Sequence, residues 1–315
     1  MGEPGVAMIE VSALEKRFAS ASAVSGLSFS VQAGEIFGLV GPDGAGKTTT
    51  MRMLASVMQP DAGRIVIDGV DVLTQPDQAK RHVSYMPQRF GMYEDLTVDE
   101  NIRFYADLFE MPAKVWRARA DTMLGAADMT PFRGRLAGKL SGGMKQKLGL
   151  ICSLVHAPRV LLLDEPTTGV DPLSRREFWQ ILYSLRQEGV AMLISTAYLD
   201  EAERCDRLAL LHKGRMMYCD TPGGLKQRMP GAMLEVIAAD PRQAHAALRL
   251  LPGVLGVLLV GLGVHVHVDG LERLGQLSVA LGTSGIAVQS IEHIEPTIED
   301  LFVALLEQDS AVETL

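Results

Sequence analysis

Apolar and polar positions follow two different patterns along the chain, with a change near residue 228. In the first part, short apolar runs are separated by helical periodicity and glycine-rich turns, which is typical of an α/β domain around a buried sheet. Apolar runs at 36–40, 160–163 and 191–195 predict interior strands. The stretch from about 97 to 156 lacks strong strand signals and carries helical patterns at 101–109 and 114–127, so we expect a helical insertion there.

The pattern restarts with shorter elements after Pro230 and Gly231. A strand is predicted at 233–238, and Asp240 followed by Pro241 is the cap and first-turn proline of a helix that runs to residue 251. The remaining residues predict a hairpin (254–260 and 264–268), a helix (271–281), a strand (286–291) and a final helix opened by Pro296. The second part is therefore expected to be a small α+β module.

Three groups of polar residues along the chain are interpreted as solvated surface. His265 and His267 alternate with valines, so both point to one face of a strand. A metal site would need further ligands, and none is evident, so a solvated strand face is favoured. The acidic run at 200–203 and the basic run at 80–82 are interpreted in the same way.

Composition limits the size of the domains and the choice of partners. With 315 residues, 47% of them hydrophobic and 22% charged, the chain can bury a large core but exceeds the comfortable length of one domain. We expect two domains, at 1–228 and 229–315, with the helical insertion in the first. The formal net charge of −8 has the wrong sign for binding the negatively charged phosphates of nucleic acids, so no nucleic-acid partner is expected.

Cysteine usage and hydropathy bear on location. Cys152, Cys205 and Cys219 are odd in number and form no Cys-x-x-Cys pair, which argues against a disulfide framework or a zinc cluster and fits the reducing cytosol. The most apolar stretch, 254–268, is shorter than the roughly 20 residues that cross a bilayer. The first residues lack the basic start and apolar stretch of a signal peptide. Work at a membrane would therefore require a partner.

A phosphate-binding loop is the first candidate for chemistry. Residues 41–48, Gly41-Pro-Asp-Gly-Ala-Gly46-Lys47-Thr48, match G-x-x-x-x-G-K-[ST] between a buried strand and a helical stretch at 47–57. Glycines let backbone N–H groups converge on phosphate oxygens, and the helix N-terminus adds its positive dipole end. Lys47 would contact the β- and γ-phosphates, and Thr48 would ligate Mg²⁺. The residues expected around the nucleotide phosphates also include Asp43, Gly44, Ala45 and Thr49.

A pair of carboxylates is the second candidate. Asp164 ends an apolar strand, where a carboxylate can hold Mg²⁺ through water, and Glu165 follows it directly. A carboxylate beside the γ-phosphate can polarise the attacking water as a general base. Two solvated carboxylates at a strand end are the alternative, which the upstream phosphate loop makes unfavourable.

A third motif, Leu140-Ser-Gly-Gly-Met-Lys-Gln-Lys147, opens a helix. Together with the loop and the carboxylates it resembles the nucleotide-binding subunit of ATP-binding cassette (ABC) transporters, over about residues 7–228. The resemblance implies an α/β P-loop NTPase fold with a helical subdomain (about 97–156), ATP and Mg²⁺ as cofactors, and catalysis by Lys47, Gln88 and Glu165.

The resemblance also assigns roles to isolated residues. It implies that Phe18 stacks on adenine, although a core phenylalanine remains open. Gln88 matches a glutamine that senses Mg²⁺ and the γ-phosphate and begins the surface facing the membrane subunit; without this context it would be an ordinary surface residue. The signature residues, Ser141, Gly142 and Gly143, would cap the ATP held by a second cassette in a head-to-tail dimer, and Asp171 matches the loop that crosses between the two sites.

Two further stretches resemble a subfamily of exporters. Ser-Gly-Gly-Met, with Met144 in place of the commoner glutamine, looks like the daunorubicin-resistance-type and nodulation-type ATPases. Residues 296–303, Pro-Thr-Ile-Glu-Asp-Leu-Phe-Val, resemble the ending of the accessory domain of drug-export ATPases, so residues 229–315 are expected to be that domain. This implies a subunit peripheral to the cytoplasmic face of the cell membrane, which powers a separate membrane-spanning permease.

One position departs from the family pattern. The family places a histidine after the strand that ends near Thr196, where it bonds the γ-phosphate, and here that position is Ala197. ATP binding is expected to survive while hydrolysis is put in doubt. Alternatives are that Tyr198 or His156 substitutes, or that the chain pairs with a fully equipped cassette. A soluble cassette ATPase of DNA repair or translation, and a nucleotide-gated subunit without turnover, also stay open.

Overall fold

A computed structural model describes residues 7–19 and 21–313, with side chains described as far as residue 306. The first six residues, on which the expectation about a signal peptide rests, lie outside this part. The described residues form two compact units, one made of residues up to Glu201 and of Cys205–Cys219, and a second of Ala202–Arg204 and the residues from Asp220 onward. The sequence places the division near residue 228.

The described residues of the first unit form ten strands in two sheets. The tenth strand ends at Asp220, the residue at which the second unit resumes. The strands are β1 (Ala7–Phe18), β2 (Ala21–Gln32), β3 (Ile36–Val40), β4 (Ala62–Ile67), β5 (Val70–Asp71), β6 (Val83–Met86), β7 (Val160–Asp164), β8 (Ala191–Thr196), β9 (Arg207–His212) and β10 (Arg215–Asp220). An antiparallel sheet has the order β2-β1-β4-β5, and a six-stranded sheet has the order β10-β9-β3-β8-β7-β6. Strands β9, β3, β8, β7 and β6 are parallel, so their carboxyl ends lie along one edge of the sheet.

The helices of this unit are α1 (Lys47–Leu54), α2 (Pro76–Ala79), α3 (Val98–Leu108), α4 (Ala113–Ala126), α5 (Gly142–Leu154), α6 (Pro172–Gln187) and the short α7 (Leu199–Ala202), which continues into the second unit. Between 97 and 156 the described structure is helical, and α3, α4 and α5 share an apolar core. Helix α3 begins three residues before the predicted start, because Thr97 and Glu100 form a capping box. Helix α1 ends three residues early, and Ser56 beyond it adopts a left-handed backbone with φ 55°.

The second unit is a four-stranded antiparallel sheet flanked by helices. Its elements are α8 (Pro222–Lys226), β11 (Ala232–Ala238), α9 (Pro241–Leu248), β12 (Val254–Val260), β13 (Gly263–Val268), α10 (Arg273–Thr283), β14 (Val288–Ile294) and α11 (Ile298–Glu313), with strand order β12-β13-β11-β14. Helices α9 and α10 share one apolar core with β11 and β13. Strand β14 lies two to three residues beyond its predicted position.

The prediction of a solvated face for His265 and His267 is wrong. Their side chains are only 7% and 5% exposed. The Nδ1 atom of His265 lies 3.0 Å from a carboxylate oxygen of Asp300, a residue of α11, and Nε2 of His267 lies 2.6 Å from the Pro230 carbonyl oxygen. The final helix contacts this face of the sheet, a long-range contact that alternation along one strand does not predict.

Candidate nucleotide-binding site

The loop at 41–48 joins β3 to α1 and folds around the side chain of Lys47. Lys47 is 4% exposed, and its ammonium donates to the carbonyl oxygens of Gly41 at 2.7 Å and Pro42 at 3.1 Å. Glycine is required at both ends of the loop. A Cβ on Gly41 would lie 2.3 Å from the Leu211 carbonyl oxygen, and Gly46 has φ 98°. The loop therefore presents the lysine and the N-terminus of α1 together.

Five residues predicted from separate motifs meet at the carboxyl edge of the parallel sheet. The Thr48 hydroxyl donates to Asp164 at 3.1 Å, and the Lys47 ammonium lies 3.5 Å from a carboxylate oxygen of Glu165. The Gln88 amide donates to the other carboxylate oxygen of Glu165 at 2.9 Å. The cluster forms because β3 and β7 end at the same edge of the sheet and Gln88 lies just beyond the end of β6.

This cluster has the donor set that a magnesium nucleotide requires. A buried ammonium and the N-terminus of α1 can bind phosphate oxygens. Asp164, 1% exposed, carries a carboxylate beside the Thr48 hydroxyl, and Mg²⁺ is usually held by one or two carboxylates together with substrate phosphates. No group of three or more His, Cys, Asp or Glu side chains able to hold a metal occurs among the described residues. The Asp164 carboxylate and the Thr48 hydroxyl are oxygen ligands of the kind that Mg²⁺ prefers.

The other predicted site residues lie elsewhere on the first unit. Ser141 caps α5 by accepting from the Met144 N–H at 3.3 Å, and Asp171 caps α6 by accepting from the Ser174 N–H at 3.0 Å. Gly143 is buried against Ser174. Phe18 is 46% exposed, with the Lys16 ammonium 5.8 Å from the ring centroid, so it is not a core residue.

Among the described residues, no hydrogen bond or ion pair joins Phe18 or residues 141–143 to the Lys47 cluster. In the loop itself, Asp43 and Gly44 are exposed, Ala45 is buried and Thr49 is partly buried. The roles of all these residues toward a nucleotide stay predictions.

Comparisons with known proteins agree with this geometry. The family model described as "ABC transporter" matches residues 24–168. The daunorubicin resistance ATP-binding protein DrrA2 of Streptomyces coeruleorubidus is 35% identical over 94% of this chain and 94% of its own length. The chain belongs to the ABC transporter family. Its fold is that of an ATP-binding cassette, since a solved ATP-binding subunit of an ABC transporter matches with a TM-score of 0.65 and 29% identity over 70% of this chain and 92% of that one.

A further relative of the cassette is longer than this chain. The probable multidrug ABC transporter ATP-binding protein YbhF of Escherichia coli is 43% identical over 95% of this chain. The chain spans about half, 52%, of the length of that relative.

Within the described ranges, no helix of the first or the second unit has the length and hydropathy needed to cross a bilayer.

Sequence reasoning missed two residues that hold the carboxylates of the cassette. Ser195, fully buried one residue before the end of β8, donates to Asp164 at 2.5 Å and accepts from the Glu165 N–H at 3.0 Å. The Tyr85 hydroxyl donates to Asp164 at 3.2 Å, and burial together with the charge of Asp164 raises the pKa of Tyr85 to about 12. The sequence carries no local signal for this contact, because Ser195 lies opposite Asp164 only through the register of the neighbouring parallel strand.

Tyr198 and His156, the two side chains considered as substitutes for the missing histidine, each stack on another side chain. Ala197 is exposed. The Cζ atom of the Arg175 guanidinium lies over the ring of Tyr198, 4.6 Å from the ring centroid. His156 stacks on Phe109, with ring centroids 3.7 Å apart, at the end of α5. Burial lowers the pKa of His156 to about 4.

The acidic run at 200–203 is not uniformly solvated, which corrects the sequence interpretation. Glu201 is 1% exposed, whereas the side chain of Asp200 is 62% exposed. The hydrogen bonds that Glu201 accepts from the side chains of Thr167 and Thr196 compensate for the cost of burying its carboxylate. Its burial was not visible in a run of four residues that contains three carboxylates.

Proposed function

We propose that this chain is the ATP-binding subunit of an exporter, which binds MgATP, hydrolyses it and powers a separate membrane permease. The observation that carries the proposal is the meeting of Lys47, Gln88 and Glu165 beside Asp164. These are a phosphate-binding cation, a side-chain amide and two carboxylates, which phosphoryl transfer to water requires in one place. The names of the relatives, a probable multidrug ABC transporter ATP-binding protein and a daunorubicin resistance ATP-binding protein, support the transport role.

Each side chain has a defined task in this proposal. Lys47 would neutralise the β- and γ-phosphates, and Thr48 and Asp164 would hold Mg²⁺, which would supply positive charge beside the phosphates. Glu165 polarises the attacking water, and Gln88 keeps that carboxylate in place through its bond of 2.9 Å. Phe18 is exposed and therefore accessible for stacking on an adenine ring.

The proposed assembly is a head-to-tail dimer of two cassettes on the cytoplasmic face of the membrane. Ser141 and Gly142 are exposed and have no bond to the Lys47 cluster within the described part of the chain. Such a signature motif is free to cap a nucleotide held by a second cassette. Drugs or other small hydrophobic molecules are the proposed cargo, and the permease provides their path.

Binding and turnover of MgATP test the proposal with matched variants. We expect the isolated chain to release phosphate slowly. Lys47→Ala should abolish both this release and the binding of MgATP. Lys80→Ala, which removes a lysine whose side chain is 51% exposed, is the control and should change neither. The Glu165→Gln variant should still bind MgATP but should no longer release phosphate. Robust release from Glu165→Gln would contradict the assigned mechanism, and purification from membranes without a co-purifying multispanning protein would contradict the partnership.

A second candidate function is supported by Ala197. A cassette that lacks the histidine could bind nucleotide without useful turnover, as one half of an asymmetric pair. MgATP binding by the wild-type chain with no phosphate release, and release restored by mixing with another cassette from the same membrane, would favour this candidate over the first.

A further inference from the structure

One buried carboxylate, that of Glu201, joins three segments around the candidate site. Its Oε1 atom accepts from the Thr167 hydroxyl, and its Oε2 atom accepts from the Thr196 hydroxyl at 2.9 Å. The Nε atom of Arg175 lies 3.6 Å from Oε1. Glu201, Thr167 and Thr196 are each 1% exposed, so these bonds are shielded from water.

The residues that contact Glu201 lie in the three segments that also carry Glu165, Ala197 and Asp171. Thr167 lies two residues after Glu165, in the loop between β7 and α6. Thr196 ends β8 and directly precedes Ala197, and its hydroxyl also accepts from the Tyr198 N–H at 2.9 Å. Arg175 lies in the first turn of α6, which Asp171 caps. A single side chain therefore contacts the Glu165 loop, the Ala197 segment and the helix that follows Asp171.

The Glu165 loop needs such support because its backbone is unfavourable. Glu165 has φ 48°, a left-handed conformation that a residue with a Cβ adopts only when its surroundings hold it there. Ser195 holds the start of the turn by accepting from the Glu165 N–H, and Thr167 anchors its far side to Glu201. A buried carboxylate is itself stable only while its donors stay in place, so the network favours one arrangement.

The geometry points to Glu201 as a positioning residue for hydrolysis, one that holds the Glu165 turn and the 196–198 segment in fixed relation. This inference rests on the proposed function. It adds a residue that touches neither phosphate nor water and acts through Thr167 and Thr196.

Glu201→Gln is the test, because it keeps the shape of the side chain and removes the charge that faces Arg175. We expect kcat to fall by about ten-fold or more, since a misplacement of about 1 Å at a reacting group can cost about 100-fold, while KM for MgATP stays within about two-fold. Asp200→Asn is the matched control, because Asp200 is exposed and lies 3.5 Å from the same arginine. It should leave both constants unchanged.

Amide hydrogen exchange in the nucleotide-free protein provides a second measurement that needs no turnover. Glu201→Gln should speed exchange in peptides that cover 165–170 and 195–198, with no change in the control. A kcat within about two-fold of the wild type, a parallel loss of kcat and MgATP affinity, or unchanged exchange would overturn the inference. If the wild type binds MgATP and releases no phosphate, the proposed hydrolysis fails, and exchange alone then decides the role of Glu201.

Discussion

Replacing Ser195 by alanine tests how strongly the parallel strand ends are held together. The Ser195 hydroxyl is fully buried, donates to Asp164 at 2.5 Å and accepts from the Glu165 N–H at 3.0 Å. Alanine keeps the strand geometry and removes only these two bonds. The Glu165 N–H retains the Ser195 carbonyl oxygen as acceptor at 3.1 Å, and Asp164 retains Thr48 and Tyr85 as donors.

The expected loss follows from the charge on the acceptor. A hydrogen bond to a charged group contributes about 1.5–3 kcal/mol to the free energy of unfolding, against about 0.5–1.5 kcal/mol for a neutral one. Because the backbone of Glu165 keeps an acceptor, the bond to Asp164 dominates. We therefore expect Ser195→Ala to lower the free energy of unfolding of the first unit by about 1.5–3 kcal/mol.

The chain offers a matched control in Ser153. Ser153 is 4% exposed and donates to the uncharged Gly149 carbonyl oxygen at 2.9 Å, so Ser153→Ala should cost about 1 kcal/mol or less. Urea unfolding followed by tryptophan fluorescence is the assay. Both tryptophans of the chain, Trp116 and Trp179, lie buried in the first unit, so the signal reports that unit. A cost for Ser195→Ala no larger than that for Ser153→Ala would refute the reasoning.

Three further predictions concern the pH dependence of stability, the signature motif and turnover. Because burial lowers the pKa of His156 to about 4 from an ordinary value of 6.5, the unfolded state binds more protons between these values, and stability falls as pH drops through this window. His156→Phe, which keeps an aromatic ring against Phe109, should flatten that slope in urea titrations at pH 4–6.5. Gly143→Ala would place a Cβ 2.3 Å from the Ser174 hydroxyl oxygen and should lower the free energy of unfolding by about 1–3 kcal/mol, with a smaller loss in a Ser174→Gly background. Ala197→His should raise phosphate release by about ten-fold or more, because a charge-assisted hydrogen bond contributes about 1.5–3 kcal/mol, and unchanged release would contradict a role for this position.

Local patterns determined much of the fold and the identity of the main site residues. The loop at 41–48 was predicted from adjacent residues, because the glycines, Lys47 and the start of α1 act within eight positions of one another. The same holds for the cap of α9, where Asp240 accepts from the Arg242 and Gln243 N–H groups as predicted. Helix α3 was placed too late because the prediction began at Asn101, whereas the Thr97–Glu100 capping box starts the helix at Val98.

The sequence by itself thus predicted the interior strands β3, β7 and β8, the helical insertion, the P-loop NTPase class and the chemical types at the site. It did not predict the antiparallel sheet with the order β2-β1-β4-β5. Only the tertiary structure decided that Ser195 and Tyr85 hold Asp164. It also decided that Glu201 is buried and bonded to Thr196, and that His265 meets Asp300. These contacts join strands and helices distant along the chain. They depend on strand order, on register and on which helix covers each face of a sheet. Local periodicity carries no information about which distant element lies opposite a given residue.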